Sequence, residues 1–400
     1  MRRVVGGVLA LVLATSLVTP AVADPTAPRT STTCASGAPS APDRVWSIAQ
    51  DRLMALATPS NTLPFGATGT GTYARTNAFA WTSGFYPASL WLTYEHTHDP
   101  AWLALARSFT TRAMSVASWT GSHDLGFMVG LPASLGLRLD PSSTRRAAYR
   151  EAMTTAARSL SARWNNRVGA IKSGDYNGQW GLIIDSAMNA PLLIEVGQTI
   201  GGATGNRLAS RGLTHMLTLA SDFIRADGST IHRQTYNQRT GRLMGPVYGQ
   251  GKSTTSAWSR GQAWAINGFT QAFASTGDQR LLDAARRTAD YWLAHVPSGC
   301  VPAWDLDINA DSAPRDSSAA AIAADGLLQL GLVDPDPARA ANYLAAGRAT
   351  TATLTESAWV PDRARNGVLQ RQAYNIPAVA REGTYAWGDA YLLLALSRSG

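Results

Sequence analysis

Lysine is nearly absent from this chain. Lys172 and Lys252 are the only two in 400 residues, so the formal charge of +8 rests on arginine. The arginines are spread without a basic run, which leaves no nucleic-acid footprint. Cysteine is as scarce, at two. Cys34 and Cys300 offer no ligand spacing; one disulfide or two free thiols are both open. There are six histidines and no His-Glu-x-x-His, so no metal centre is expected. His96 and His98 read as a solvated turn. There is no P-loop, and the Gly-rich Ser173 to Gly181 lacks a strand-to-helix context, so no cofactor is expected either. Long apolar runs are confined to the N-terminus, which excludes a multi-span membrane protein. A hydrophobic share of 45% excludes a disordered one.

What the N-terminus does hold is a basic start, Met1-Arg2-Arg3, an apolar run from Val4 to Val18, and Ala21-Val22-Ala23. These are the three parts of a secretory signal, and the run is shorter than the roughly twenty residues of a membrane anchor. The expectation is export with cleavage near Ala23, leaving no membrane attachment. Residues 24–43, rich in Pro, Ser, Thr and Ala, read as a flexible lead-in. Residues 44–400 read as one domain. Oligomeric state leaves no mark in the sequence.

Strand alternation is missing over any length; the periodicity is helical nearly throughout. Between 278 and 296, Leu281, Ala285, Ala289, Trp292 and Val296 make one apolar stripe opposite Asp283, Arg286, Arg287 and Asp290. Just upstream, residues 262–275 are apolar or small almost all round. The pair is one buried and one amphipathic helix, split by Thr276-Gly277-Asp278. Similar pairs fall at 84–95 and 102–114, 126–138 and 145–164, 186–198 and 207–224, and 318–330 and 338–353. A lone amphipathic helix at 44–56 and a lone inner helix at 385–397 complete a sixth pair. Six such units whose ends complement each other predict a closed ring of twelve helices, an (α/α)6 barrel; an open solenoid is the alternative.

The polar and aromatic stretches all precede an inner helix: Trp81-Thr-Ser-Gly84, Ser122-His-Asp-Leu-Gly126, Asp185-Ser-Ala-Met-Asn189, Trp258 to Trp264, Arg315 to Ser318 and Arg381 to Tyr385. In a ring of parallel inner helices they surround one mouth, where free helix N–H groups favour an anion. Trp81, Trp180, Trp258, Trp264 and Trp387 lie there, either stacking on sugar rings or filling the core. Asp124 and Asp185 are candidate acid and base groups, and equally candidate helix caps, as are Asp305, Asp307, Asp316 and Asp389. Arg260 reads as an anion contact or a buried ion-pair partner. From the residues alone this is an exported helical barrel with an acidic, Trp-lined pocket, suited to carbohydrate chemistry by carboxylates.

At these stretches the sequence resembles the unsaturated glucuronyl hydrolases, glycoside hydrolase family 88. The matches are Trp81 to Pro87 (WTSGFYP), His123 to Met128 (HDLGFM), Ile184 to Asn189 (IDSAMN), Asp227 to His232 (DGSTIH), Ser259 to Trp264 (SRGQAW) and Arg315 to Ala319 (RDSSA), in the expected order over most of the mature chain. The resemblance implies the (α/α)6 fold. It also implies hydrolysis of oligosaccharides ending in a 4,5-unsaturated uronic acid, through hydration of the C4=C5 vinyl ether. By position, Asp185 resembles the acid that protonates C4, and Asp124 its partner carboxylate. His232, Gln250, Arg260 and Trp264 match positions around the uronate, and Trp81 and His123 the pocket wall. There are two departures. Gly249 stands where the family usually has His, which leaves one contact missing or supplied by Tyr248, and no Trp follows Lys172-Ser173. The alternatives are a secreted uronate polysaccharide lyase and a non-catalytic sugar-binding barrel.

Overall fold

A computed structural model describes residues 42–58, 61–69, 71–362, 366–378 and 381–399. The expected signal, the lead-in up to residue 41, and Cys34 lie outside the described residues. Cys300 is buried.

Among the described residues twelve α-helices alternate between two rings. The inner ring is α2 (Phe85–Thr97), α4 (Leu131–Leu139), α6 (Pro191–Ile200), α8 (Ser259–Thr276), α10 (Ser317–Val333) and α12 (Ala386–Ser399). Outside lie α1 (Pro42–Leu56), α3 (Pro100–Met114), α5 (Ser143–Ser161), α7 (Gly202–Phe223), α9 (Gln279–His295) and α11 (Pro337–Leu354). Each inner helix from α2 to α10 packs on the outer helix that follows it, α10 packs on α8 and α12, and α12 returns to α2. The ring is closed, and the architecture is the (α/α)6 barrel.

The hairpin bends are set by local chemistry. Asp99, Asp278 and Asp336 cap α3, α9 and α11, accepting from the N–H groups of Ala101, Arg280 and Ala338 at 2.8, 3.0 and 2.9 Å. Pro100 and Pro337 follow two of these caps in the first helical turn. Two equivalent turns carry a second device. Asp140 after α4 pairs with Arg107 of α3 at 2.6 Å, and Asp334 after α10 pairs with Arg286 of α9 at 2.5 Å. Each pair spans neighbouring hairpins, so part of the arginine excess serves to staple one repeat to the next.

Contrary to the strandless reading, ten short strands sit in the connections among the described residues. The largest sheet near the mouth runs β5 (Gly174–Tyr176), β6 (Gln179–Ile183), β7 (Arg233–Tyr236) and β8 (Leu243–Pro246), all antiparallel. A second four-stranded sheet joins β1 (Leu63–Thr68) and β2 (Ala74–Thr76) to β10 (Glu382–Tyr385) and β9 (Gln372–Ala373), so it stitches the two ends of the chain together. The third is the pair β3 (Trp164–Asn165) and β4 (Ala170–Ile171). None of them exceeds six residues, too few for an alternating pattern to stand out.

Candidate active site

The N-terminal ends of the inner helices converge on a cavity of about 230 Å³. Its wall is formed by Trp81, His123, Asp124, Ile183, Asp185, Arg233, Gln250, Arg260, Tyr374 and Asn375. Six of these, Trp81, His123, Asp124, Asp185, Gln250 and Arg260, are expected from the sequence. A larger cavity, about 610 Å³, opens at the opposite end of the barrel. Its arginines are already matched, Arg138 by Glu95 and Arg398 by Asp325, and it holds none of the candidate site residues.

Asp185 follows β6 in a tight turn, Ile184–Met188, that leads into α6. The turn is fixed from below. Ser186 Oγ donates to the Ile183 carbonyl at 2.7 Å and lies 3.0 Å from His215 Nε2. His215 Nδ1 accepts from the Ile171 N–H, so its proton is on Nε2 and points at Ser186. Burial holds His215 at a pKa of about 3, which keeps it neutral. The Asp185 side chain caps no helix; Oδ1 is buried without a partner. Burial pushes its pKa up to about 7, against the pull of Arg260 and with the help of the Asp124 charge.

Asp124 comes in on the turn before α4, which opens with a π-helical turn at Gly126–Gly130. Here Gly126 is required by close approach: a Cβ would lie 2.6 Å from the Asn189 Cα. That contact brings the two aspartate segments together. Asn189 Nδ2 donates to the Asp185 carbonyl at 3.3 Å and reaches Asp124 Oδ1 at 3.5 Å. Asp124 also accepts from Ser122 Oγ at 2.9 Å and faces His123 Nε2 at 3.5 Å. Burial depresses the His123 pKa, so its imidazole is neutral. Neither aspartate makes a capping bond to a helix N–H, whereas Asp316 caps α10 and Asp389 holds the N–H groups of Val368 and Leu369. Asp305 is likewise engaged by loop donors at Lys252 and Asp307.

Arg260, in the first turn of α8, is 1% exposed. It pairs with Asp316 at 2.7 Å, donates to the Ala373 and Tyr374 carbonyls and to Gln250 Oε1, and is flanked by the rings of Trp258 and Trp387 at 4.6 and 5.6 Å. The buried-pair and site-residue readings of Arg260 therefore both apply. Among the tryptophans read at the mouth, only Trp81 lines the cavity; Trp180, Trp258, Trp264 and Trp387 are buried. Trp264 and His232 are buried as well and are not among the wall residues, though Trp264 Nε1 and His232 Nε2 are each left without a partner among the described residues. Trp264 is 0% exposed and packs on Phe127 and Tyr391, because one helical turn below Arg260 points into the barrel core. His232 packs on Trp258, with Nδ1 accepting from the Gln250 N–H at 2.8 Å.

That bond explains Gly249. A Cβ there would sit 1.9 Å from His232 Nδ1. Tyr248 is 54% exposed, and its carbonyl rather than its ring faces inward to Arg233. Gly249→Ala is expected to push the His232 ring from the Gln250 amide, costing about 1–3 kcal/mol of stability as overpacking does. Thermal melts against Tyr248→Phe, an exposed control, check this. Arg233, Tyr374 and Asn375 are the wall residues that the sequence reading misses. They come from sheet strands and the β9 loop, and no motif marks them.

No sequence-family model matches the chain. It is 32% identical over 327 residues to an unsaturated glucuronyl hydrolase of Formosa agariphila, a match covering 80% of this chain and 79% of the relative. It is also 32% identical over 347 residues to one of Bacillus sp. strain GL1, covering 84% and 90%. The crystal structure of an unsaturated glucuronyl hydrolase specific for heparin superposes with a TM-score of 0.82 at 27% identity, covering 89% of this chain and 97% of that one. Sequence likeness over most of both chains, a shared barrel and two aspartates facing one mouth agree: this protein belongs to the unsaturated glucuronyl hydrolase family.

Proposed function

We propose that this chain removes 4,5-unsaturated uronic acid from the non-reducing end of lyase-generated oligosaccharides. The observation that carries the reading is Asp185. A buried carboxyl with a pKa of about 7 and an unpartnered oxygen is protonated near neutrality and aimed at a cavity. Such a group suits protonation of carbon, which an ordinary exposed aspartate has no proton to perform.

In this reading Asp185 delivers its proton to C4 of the vinyl ether. Positive charge then develops at C5 and the ring oxygen, where Asp124 provides the opposing negative charge. Water adds at C5 and its proton returns to the Asp185 carboxylate. The resulting hemiketal opens to a ketone at C5, and the exposed hemiacetal at C1 releases the remaining sugar. One water is consumed and the acid is regenerated. Trp81 offers the stacking face for the sugar, and His123 and Asp124 meet its hydroxyls. We further propose that the protein is exported, on the strength of its basic, apolar and Ala-x-Ala N-terminal segments.

The test is ultraviolet spectroscopy. Unsaturated uronyl disaccharides should lose their conjugated absorbance when the protein is added, and intact polysaccharide should gain none. A rise on intact polymer identifies a lyase and overturns the reading.

A further inference from the structure

Arg233 opens β7 directly opposite Ile183, and both residues line the cavity that holds Asp185. Its guanidinium lies over the Tyr176 ring at 4.7 Å, and Nη1 donates to the Tyr248 carbonyl at 3.2 Å. Nε is buried with no partner, and Nη2 meets no acceptor among the described residues. No carboxylate among the described residues forms an ion pair with it. Arg260 also has a buried, unpartnered Nε, but it differs in having a carboxylate partner. Its guanidinium is held by Asp316 at 2.7 Å with both side chains buried, and by the Ala373 and Tyr374 carbonyls and Gln250 Oε1.

The charge balance then poses a question. A uronate is an anion, and it must enter a cavity that already carries the Asp124 charge. Like charges a few ångströms apart in a poorly solvated pocket repel strongly. Of the two arginines in the wall, Arg233 is the one with no carboxylate partner among the described residues. Stacking on Tyr176 fixes the guanidinium plane, and the carbonyl of Tyr248 fixes one end. This leaves the Nε/Nη2 edge, the fork that grips an oxyanion through two parallel bonds.

We propose that Arg233 is a specificity-determining residue that binds an oxyanion of the substrate through its free Nε/Nη2 edge. The inference rests on the functional reading above. Two substrate groups have this chemistry: the carboxylate of the unsaturated sugar, and a sulfate ester on its neighbour.

The experiment compares the wild type with Arg233→Met and Arg233→Lys on unsulfated and sulfated unsaturated disaccharides, by steady-state kinetics and titration calorimetry. Met keeps an aliphatic stem against Tyr176, and circular dichroism controls for the fold. Met is expected to raise KM and weaken binding roughly 10- to 100-fold, the range for a charge-assisted contact, while kcat changes only a few-fold. Lys should recover part of the loss, since it restores charge without the fork. A loss on both disaccharides assigns the edge to the carboxylate, and a loss confined to the sulfated one assigns it to the sulfate. Unchanged KM and affinity on both in a folded Met variant overturn this inference alone. Binding without turnover by the wild type overturns the proposed reaction alone, and no binding of either disaccharide overturns both.

Discussion

Asp185→Asn is expected to fold and to lose turnover by about 10²–10⁴-fold or more, the usual effect of removing a general acid. Asparagine fills nearly the same volume and keeps hydrogen-bonding capacity, so the turn at Ile184–Met188 and its support from Ser186 and His215 should survive. What disappears is the transferable proton. The same substitution makes a stability prediction with a definite sign. Asp185 has its pKa raised from 3.8 to about 7 in the folded protein. Its neutral form is the one the fold favours, so its contribution is fully present at low pH. That contribution is lost as pH rises from the unfolded value through 7. Asparagine carries no charge to be forced into the buried site, so the variant should melt no lower than the wild type in acid and higher above pH 7. Near-wild-type rates, measured as loss of disaccharide absorbance by a folded variant, would remove Asp185 from the chemistry.

Asp124→Asn should move the alkaline limb of the kcat profile. The acid works while protonated, so activity falls as pH rises through the Asp185 pKa of about 7. Burial is the main cause of that raised value, Arg260 opposes it, and the Asp124 charge adds to it. Removing that charge lets the Asp185 proton go more easily, and the limb shifts to lower pH. The substitution also withdraws the negative charge that opposes the developing cation at C5, so kcat at the optimum should fall as well. KM should rise where hydroxyl contacts are lost. A purely structural Asp124 would instead leave the limb in place, and the measurement is kcat against pH with circular dichroism as the control. The asparagine carbonyl can still accept from Ser122 Oγ, as Asp124 does at 2.9 Å, which is why the fold should tolerate the change.

Reading the chain by periodicity recovers the twelve helices because each inner helix is apolar nearly all round and each bend carries its own cap. The pattern at 262–275 is α8, and the Asp-Pro breaks are the capped starts of α3 and α11. Sequence also places Asp124 and Asp185 at one mouth, since both immediately precede inner helices of a closed ring. The strands escape it. β7 and β8 are four residues each, and β7 is held by distant partners, Tyr236 pairing with Trp180, rather than by any local pattern.

Helical periodicity and capping are local properties, so the barrel, the ring of motifs and the residue types at the mouth can all be read from the chain alone. Which of those residues face the cavity is a matter of packing. Trp264 shares its motif with Arg260 yet is not a wall residue, because one helical turn along α8 carries it from the mouth into the barrel core. Packing also commits Arg260 to Asp316, fifty-six residues on, while leaving Arg233 without a carboxylate. The Asp185 pKa belongs with these, since desolvation depends on everything packed around a carboxyl, and no stretch of sequence contains its own surroundings.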